Sequence, residues 1–171
     1  LYLDALARKL AATLAALTPE ARERVEVIFS AHSLPLALVR EGDAYVEQLQ
    51  ATARALARRL GLERWRLAFQ SRGAGGGEWL GPQVEEVLDE VAAGGGRDVL
   101  VVPLGFLIDH LETLYDVDVV QRAHAERLGL AFFRCPCLND DPALVAALAD
   151  LVLSTLTSPS GRRAPAPGEV P

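Results

Sequence analysis

The sequence predicts an α/β domain in which a parallel sheet of about four strands is flanked by helices. Short apolar runs that suit strands alternate with segments of helical periodicity along residues 1–157. The runs at residues 25–29 and 98–103 are almost continuously apolar, as in strands that are buried on both faces. Strict alternation favours parallel strands joined by helices that cover both faces of the sheet. A chain of 171 residues, 50% of them hydrophobic, can bury one sizeable core.

The first part of the chain predicts a helix, a strand, a second helix and a second strand. Residues 3–17 have helical apolar spacing, which ends at Thr18 because a residue before proline disfavours helical geometry. The first strand follows at residues 25–29. Residues 44–60 are rich in Ala and Arg and place apolar residues every three or four positions, which predicts a helix. The second strand follows at residues 66–70.

The second part of the chain continues the alternation. It predicts a helix at residues 82–91, the most apolar strand at 98–103, a helix at 112–128, a strand at 130–133 and a helix at 142–156. Residues 158–171 are rich in proline, glycine and small polar residues and have no apolar periodicity. We therefore expect one domain over residues 1–157, followed by a disordered tail.

Composition and charge exclude several classes of protein. The net charge of −6, without a clustered basic surface, argues against a nucleic-acid partner. No apolar run reaches the roughly 18 residues that a membrane span needs, and Asp4, Arg8 and Lys9 interrupt the opening segment where a signal peptide would be apolar. We expect a cytoplasmic protein, and a peripheral membrane contact stays open. Because the chain begins at Leu1 rather than at Met, we expect it to be part of a longer protein.

Two motifs that often carry chemistry are incomplete here. Cys135 and Cys137 are separated by one residue, which is too close for a routine disulfide, and no second pair completes a zinc or iron-sulfur site. We expect both to be small buried hydrophobic residues. The glycine-rich segment at residues 73–77 lacks the Gly-Lys-Ser or Gly-Lys-Thr ending of a phosphate loop and the spacing of a dinucleotide fingerprint. A nucleotide site is therefore not predicted.

Polar side chains with metal-binding chemistry follow two of the predicted strands. His32 comes directly after the first strand, and Glu112 and Asp116 follow the most apolar one. Because the carboxyl ends of parallel strands meet at one edge of a sheet, His32 and Glu112 are predicted to share that edge. Glu112 and Asp116 are four residues apart and so lie on one helix face, where a cation would remove their repulsion. The pattern predicts a site for a hard or borderline cation.

For the remaining polar and aromatic candidates, a structural role explains the residue at least as well as a functional one. His110 is expected to tie its loop to the surroundings, and Asp118 to be structural or solvent-facing. His124 lies among charged residues and is expected at the surface. Trp79 is equally consistent with a core ring and with the wall of a pocket for a flat aromatic ligand.

Five motifs in order and in register resemble the ferrochelatase family. They are Phe-Ser-Ala-His-Ser-Leu-Pro at 29–35, Gly-Asp-Ala-Tyr at 42–45, Gln-Ser-Arg-Gly with Trp-Leu-Gly-Pro at 70–82, Pro-Leu-Gly-Phe at 103–106, and Asp-His-Leu-Glu-Thr-Leu-Tyr at 109–115. The resemblance runs from about residue 1 to 157 and covers the C-terminal half of such an enzyme. It implies a Rossmann-like, chelatase-like three-layer domain and a missing N-terminal domain that supplies the rest of a porphyrin cleft.

The resemblance also implies an activity and roles for individual residues. Ferrochelatases insert ferrous iron into a porphyrin, either protoporphyrin IX or coproporphyrin III, in heme biosynthesis. His32 and Glu112 match the pair that binds the metal and helps to remove the pyrrole protons. Asp116 would be a secondary metal-binding or relay residue, and Trp79 matches a tryptophan of the pocket wall. Ferrous iron enters as a substrate, and no other cofactor is implied.

This chain lacks one feature that members of the family often have and another that some members have. Val120 stands where a further acidic residue often extends the line of carboxylates, so this line is expected to end at Asp116. The segment after Leu156 contains no cysteine, so we expect no iron-sulfur cluster at the C-terminus. Without the N-terminal domain, the chain alone is expected to be inactive.

Two alternatives remain open at the level of sequence. The chain could be a non-catalytic domain that binds a metal or a tetrapyrrole. It could also be a short cobalt or nickel chelatase, which usually uses two histidines at the metal. In that case His110 should turn towards His32, whereas a His110 packed against its own loop would disfavour it.

Overall fold

The computed structural model describes residues 1–73 and 76–157, so the predicted tail and part of the glycine-rich segment lie outside the described residues. The strands are β1 (Glu26–His32), β2 (Trp65–Gln70), β3 (Asp98–Pro103) and β4 (Ala131–Arg134). The α-helices are α1 (Tyr2–Ala15), α2 (Pro19–Arg24), α3 (Leu36–Arg40), α4 (Tyr45–Leu60), α5 (Val84–Ala93), α6 (Arg122–Arg127) and α7 (Pro142–Thr157). A π-helix, Glu112–Gln121, precedes α6.

The strands form one parallel sheet in the order β2-β1-β3-β4. In the register of this sheet, His32 of β1 lies opposite Gln70 of β2, and Ser30 lies opposite Pro103 of β3. The carboxyl ends of β1, β2 and β3 therefore meet at one edge. The predicted α/β class is confirmed, and the strand that ends at His32 lies next to the most apolar strand.

Helices cover both faces of the sheet and create two hydrophobic layers. Phe29 of β1 and Leu100 of β3 pack on one face with residues of α1 and α4. Ile28 and Val101 pack on the other face with residues of α5, α6 and the π-helix, among them Val117. Because successive residues of a strand point to opposite faces, β1 and β3 contribute to both layers. The result is the predicted three-layer domain.

The sequence prediction differs from the structure mainly after β3. One α-helix was expected over residues 112–128, whereas the chain forms the π-helix and then α6, which ends at Arg127. The short helices α2 and α3 were not predicted, because five or six residues are too few to display helical periodicity. None of the helices in the described ranges has the length and apolar character needed to span a bilayer.

Candidate metal-binding site

His32 ends β1 at the edge of the sheet, and its side chain is partly exposed. Its side chain is 36% exposed, and its Nδ1 lies 2.6 Å from the carbonyl oxygen of Ser33. Because a carbonyl oxygen can only accept, the proton of the neutral ring belongs on Nδ1, which leaves the lone pair on Nε2. The hydroxyl of Tyr45 donates to the carbonyl oxygen of His32 at 3.0 Å. These two hydrogen bonds fix the ring and its backbone at the edge of the sheet.

Glu112 is the first residue of the π-helix and faces His32. Its Oε2 lies 3.7 Å from the Nε2 of His32, although the two residues are eighty positions apart in sequence. That separation is long for a hydrogen bond. It suits two ligands of one cation, because metal bonds of about 2.0–2.2 Å from each atom can meet between them. The structure thus brings together the pair for which the sequence predicted a shared edge.

Asp116 lies further along the π-helix and accepts a hydrogen bond from the hydroxyl of Ser71, just after β2. Both residues line a cavity of about 400 Å³, which also includes Val120 and Gln121. Val120 is exposed, whereas Gln121 is fully buried and its side-chain amide makes no hydrogen bond to the described residues. Asp116 is therefore tied to the end of β2, next to a cavity whose inner wall is polar.

Trp79 is half-buried at the same edge of the sheet. It forms an isolated β-bridge with Pro35, and the backbone N–H of the next residue, Leu80, donates to Leu34 at 2.9 Å. The segment that contains Trp79 therefore lies alongside the loop that follows His32. Gly73 lies so close that an added Cβ would be 2.8 Å from the indole ring. The ring is thus placed at the edge of the sheet rather than in the core.

His110 and His124 both make contacts away from His32. The Nδ1 of His110 accepts from the backbone N–H of Glu112 at 3.3 Å, and its ring packs against Phe106 with the centroids 5.2 Å apart. This is the predicted loop-tying role, and it disfavours a two-histidine metal site. His124 is more covered than expected, at 22% exposure, because its Nε2 lies 2.8 Å from Asp89.

Arg134, the last residue of β4, bridges two carboxylates that flank the start of the π-helix. Its Nη1 lies 2.6 Å from Asp109, and its Nε lies 2.8 Å from Asp118. Burial alone would raise the pKa of Asp109, but hydrogen bonds from Asn139 and Cys137 and the positive charge of Arg134 outweigh it and lower that pKa. Asp118 is therefore structural, one of the two roles expected for it.

Within the described part of the chain, no group of three or more His, Cys, Asp and Glu side chains is arranged to hold a metal ion. The candidate site is thus the pair His32 and Glu112, with Asp116 beyond it. Cys135 and Cys137 are buried free thiols, as predicted. Burial raises the pKa of Cys137 to about 12, with the hydrogen bond to Asp109 adding to the shift, so this thiol stays protonated at neutral pH.

Comparison with known proteins assigns this chain to one family. The sequence profile of the ferrochelatase family matches residues 1–156, a range that includes His32, Trp79, Glu112 and Asp116. The chain belongs to the ferrochelatase family. This agrees with the five motifs that suggested it.

Alignments with individual ferrochelatases cover most of this chain but only about half the length of each ferrochelatase. The chain is 44% identical over 159 residues to the ferrochelatase of Geotalea uraniireducens, covering 92% of this chain and 49% of that protein. For the ferrochelatase of Herpetosiphon aurantiacus the identity is 43% over 151 residues, covering 88% and 50%. For that of Deinococcus radiodurans it is 39% over 153 residues, covering 88% and 48%. The chain therefore spans about half the length of these curated relatives.

Sequence reasoning did not single out Tyr45, Ser71, Gln121 or Arg134, although each touches the site or its supports. Arg134 had a detectable signal, since it is a charge at the end of an otherwise apolar strand. Tyr45 and Ser71 lie within two of the motifs that carry the family resemblance, but nothing in the sequence indicated their contacts, and Gln121 had no signal. Their contacts depend on the path of loops and on the winding of the π-helix, which local patterns do not reveal.

Proposed function

We propose that this chain is the metal-binding half of a ferrochelatase, a metal chelatase that inserts ferrous iron into a porphyrin in heme biosynthesis. Its membership of the family supports the activity. The observation that carries the proposal is the 3.7 Å separation between the Nε2 of His32 and the Oε2 of Glu112 at an exposed edge of the sheet. Protoporphyrin IX and coproporphyrin III are both candidate substrates.

The insertion reaction needs a metal ligand and a proton acceptor on the same face of the macrocycle. One Fe²⁺ enters the ring and two pyrrole protons leave, so the iron replaces the protons without any change in oxidation state. An imidazole nitrogen and a carboxylate are suitable ligands for Fe²⁺, and each can also accept a proton. His32 supplies the lone pair on Nε2, and Glu112 supplies an anionic oxygen beside it.

Asp116 and Trp79 receive supporting roles in this proposal. Asp116 is a secondary metal-binding or relay residue, supported by its place on the π-helix that begins with Glu112. Trp79 is a wall of the porphyrin pocket, supported by its half-buried ring beside the loop that follows His32. Its flat ring suits contact with a flat macrocycle.

The partners of the chain follow from the same proposal. Porphyrin and ferrous iron are its substrates, and a further domain of the same protein supplies the opposite side of the cleft. We therefore expect no turnover by this chain alone. We propose a cytoplasmic location, no resident cofactor and no nucleic-acid partner, the last in keeping with the net charge of −6. A peripheral membrane contact is compatible with all of these.

The test is His32→Ala in the full-length gene product that carries this chain. Iron insertion should fall by a factor of at least about 10², because a metal ligand and proton acceptor is lost. Porphyrin binding, followed by the quenching of porphyrin fluorescence, should change little, since the apolar walls of the cleft remain.

The matched control is His124→Ala, which removes an imidazole bonded to Asp89 on a different part of the surface. It should retain near-normal insertion. Near-normal turnover by His32→Ala would contradict the proposal. If the unaltered full-length protein retained iron or porphyrin without producing heme, the non-catalytic binding function would be favoured instead.

A further inference from the structure

We infer that Arg134 is a positioning residue for the metal-binding pair, because it holds the chain on both sides of Glu112. The inference rests on the proposed role of His32 and Glu112 in binding the metal. It adds a residue of β4 to a site otherwise built from the ends of β1 and β3.

The contacts of Arg134 span the start of the π-helix. Asp109 lies three residues before Glu112, and Asp118 lies six residues after it. The guanidinium bonds to both carboxylates, at 2.6 Å and 2.8 Å, and its side chain is only 15% exposed. A guanidinium is planar and presents its donors in a fixed fork, so it sets the distance between two carboxylates better than a flexible ammonium would.

Asn139 strengthens the same connection from the segment that follows β4. Its side-chain oxygen accepts from the backbone N–H of Asp109 at 2.7 Å, and its side-chain nitrogen donates to the carboxylate of Asp109 at 2.8 Å. Its backbone N–H donates to the carbonyl oxygen of Leu107 at 2.9 Å. The loop before Glu112 is therefore tied to the end of β4 at several points, with Arg134 at the centre.

This connection determines where Glu112 stands relative to His32. His32 is fixed by the sheet, since β1 pairs with β2 and β3, and Arg134 ends β4, which pairs with β3. Glu112 is 45% exposed and begins a π-helix that lies outside the sheet. Arg134 therefore couples the π-helix to the sheet that carries His32. Without it, Asp109 loses its counter-charge and Asp118 keeps only the more distant Arg122, at 3.7 Å, so the segment between the two carboxylates is held less tightly.

Arg66 provides a matched control within the same chain. It also bridges two carboxylates, with Glu26 at 3.0 Å and Glu90 at 2.6 Å. It stands near the beginning of β2, whereas the residue opposite His32 is Gln70 at the end of that strand. Arg66→Met thus removes the same kind of bridge at the opposite edge of the sheet.

The experiment is a titration of the 171-residue chain with Co²⁺, followed by visible absorption, for the unaltered chain and for Arg134→Met, Arg134→Lys, Arg66→Met and His32→Ala. Changes to residues that orient metal ligands typically weaken metal affinity by about 10–100-fold. We expect a loss of that size for Arg134→Met with an altered absorption spectrum, and a smaller loss for Arg134→Lys, which keeps the charge. We expect a change of less than about twofold for Arg66→Met. His32→Ala should abolish binding at this site.

The outcomes separate the inference from the proposed function. If Arg134→Met and Arg66→Met weaken Co²⁺ binding equally, or neither does, Arg134 has no positioning role. If His32→Ala binds Co²⁺ as the unaltered chain does, the proposed metal pair itself is wrong. Should Arg134→Met fail to fold, Asp118→Asn removes one of the two bridges and leaves Asp109 bonded. It should weaken Co²⁺ binding by several-fold, and unchanged affinity would overturn the inference.

Discussion

Two hydrogen bonds to neighbouring residues determine the tautomer and the position of His32. The carbonyl oxygen of Ser33 places the proton of the neutral imidazole on Nδ1 and leaves Nε2 bare towards Glu112. The sequence could predict that His32 and Glu112 share an edge, because each follows a strand of one parallel sheet. It could not predict the contacts of Ser33 or Tyr45, because they depend on the path of the loop after β1.

The three histidines should differ in their neutral tautomers. His32 should carry its proton on Nδ1. His124 should carry it on Nε2, because that nitrogen faces the carboxylate of Asp89 while Nδ1 faces a guanidinium nitrogen of Arg127 at 3.0 Å. His110 should also carry it on Nε2, because its Nδ1 accepts from the backbone N–H of Glu112.

Long-range ¹⁵N–¹H correlation spectra of the neutral imidazoles distinguish the two tautomers. His32 should be the one histidine with an unprotonated Nε2. His110 and His124 serve as internal references of the opposite kind. A His32 with its proton on Nε2 would contradict the geometry described for the metal pair.

At the scale of elements, the four strands were predicted to within three residues at each end, but the helix after β3 was predicted with the wrong winding. A π-helix and an α-helix both permit Glu112 and Asp116 on one face, so a spacing of four residues does not distinguish them. The π-helix is held against the sheet by tertiary contacts such as the bridge from Arg134 to Asp118. That tie links residues from different elements, and no local pattern reveals it.

The loop after β2 should control the position of the Trp79 ring. Gly73→Ala places a methyl group 2.8 Å from the indole, so the ring must shift. Gly76→Ala is the matched control, because an added Cβ there meets nothing within 4 Å. With Trp65 replaced by Phe in both variants, the fluorescence of Trp79 alone is measured. The emission maximum should move for Gly73→Ala and stay unchanged for Gly76→Ala, and equal spectra would contradict the close approach.

At the scale of the whole molecule, the domain class could be predicted because it depends on the alternation of elements and on apolar content. The layers are joined, however, by polar ties that cross between elements. Asp109, for example, bonds to Arg134 of β4 and to Asn139 in the segment after that strand. Cys137 lies in the same region, where its backbone N–H donates to the carboxylate of Asp109 at 3.4 Å and burial, together with that carboxylate, raises the pKa of its thiol. The thiol of Cys137 is therefore buried only when the region around β4 is packed.

The burial of this thiol predicts a loss of stability at alkaline pH, because burial raises its pKa in the folded chain. The pKa of Cys137 is about 12 in the folded chain, against about 8.5 for a thiol in an unfolded chain. Between these two values the unfolded state releases its proton while the folded state keeps it, so the free energy of unfolding decreases as pH rises. A single group contributes a slope of up to about 1.4 kcal/mol per pH unit, and its full stabilising effect is present only below about pH 8.

Urea unfolding at pH 8, 9, 10 and 11, followed by far-UV circular dichroism, measures this slope. Cys137→Ala should reduce the decrease in stability across that range, because the substituted side chain has no proton to release. Part of the decrease should remain, since burial also raises the pKa of Cys135 and of Tyr2. If the free energy of unfolding decreases with pH equally for the unaltered chain and for Cys137→Ala, the thiol of Cys137 has the same pKa in the folded and unfolded states. That result would contradict the prediction.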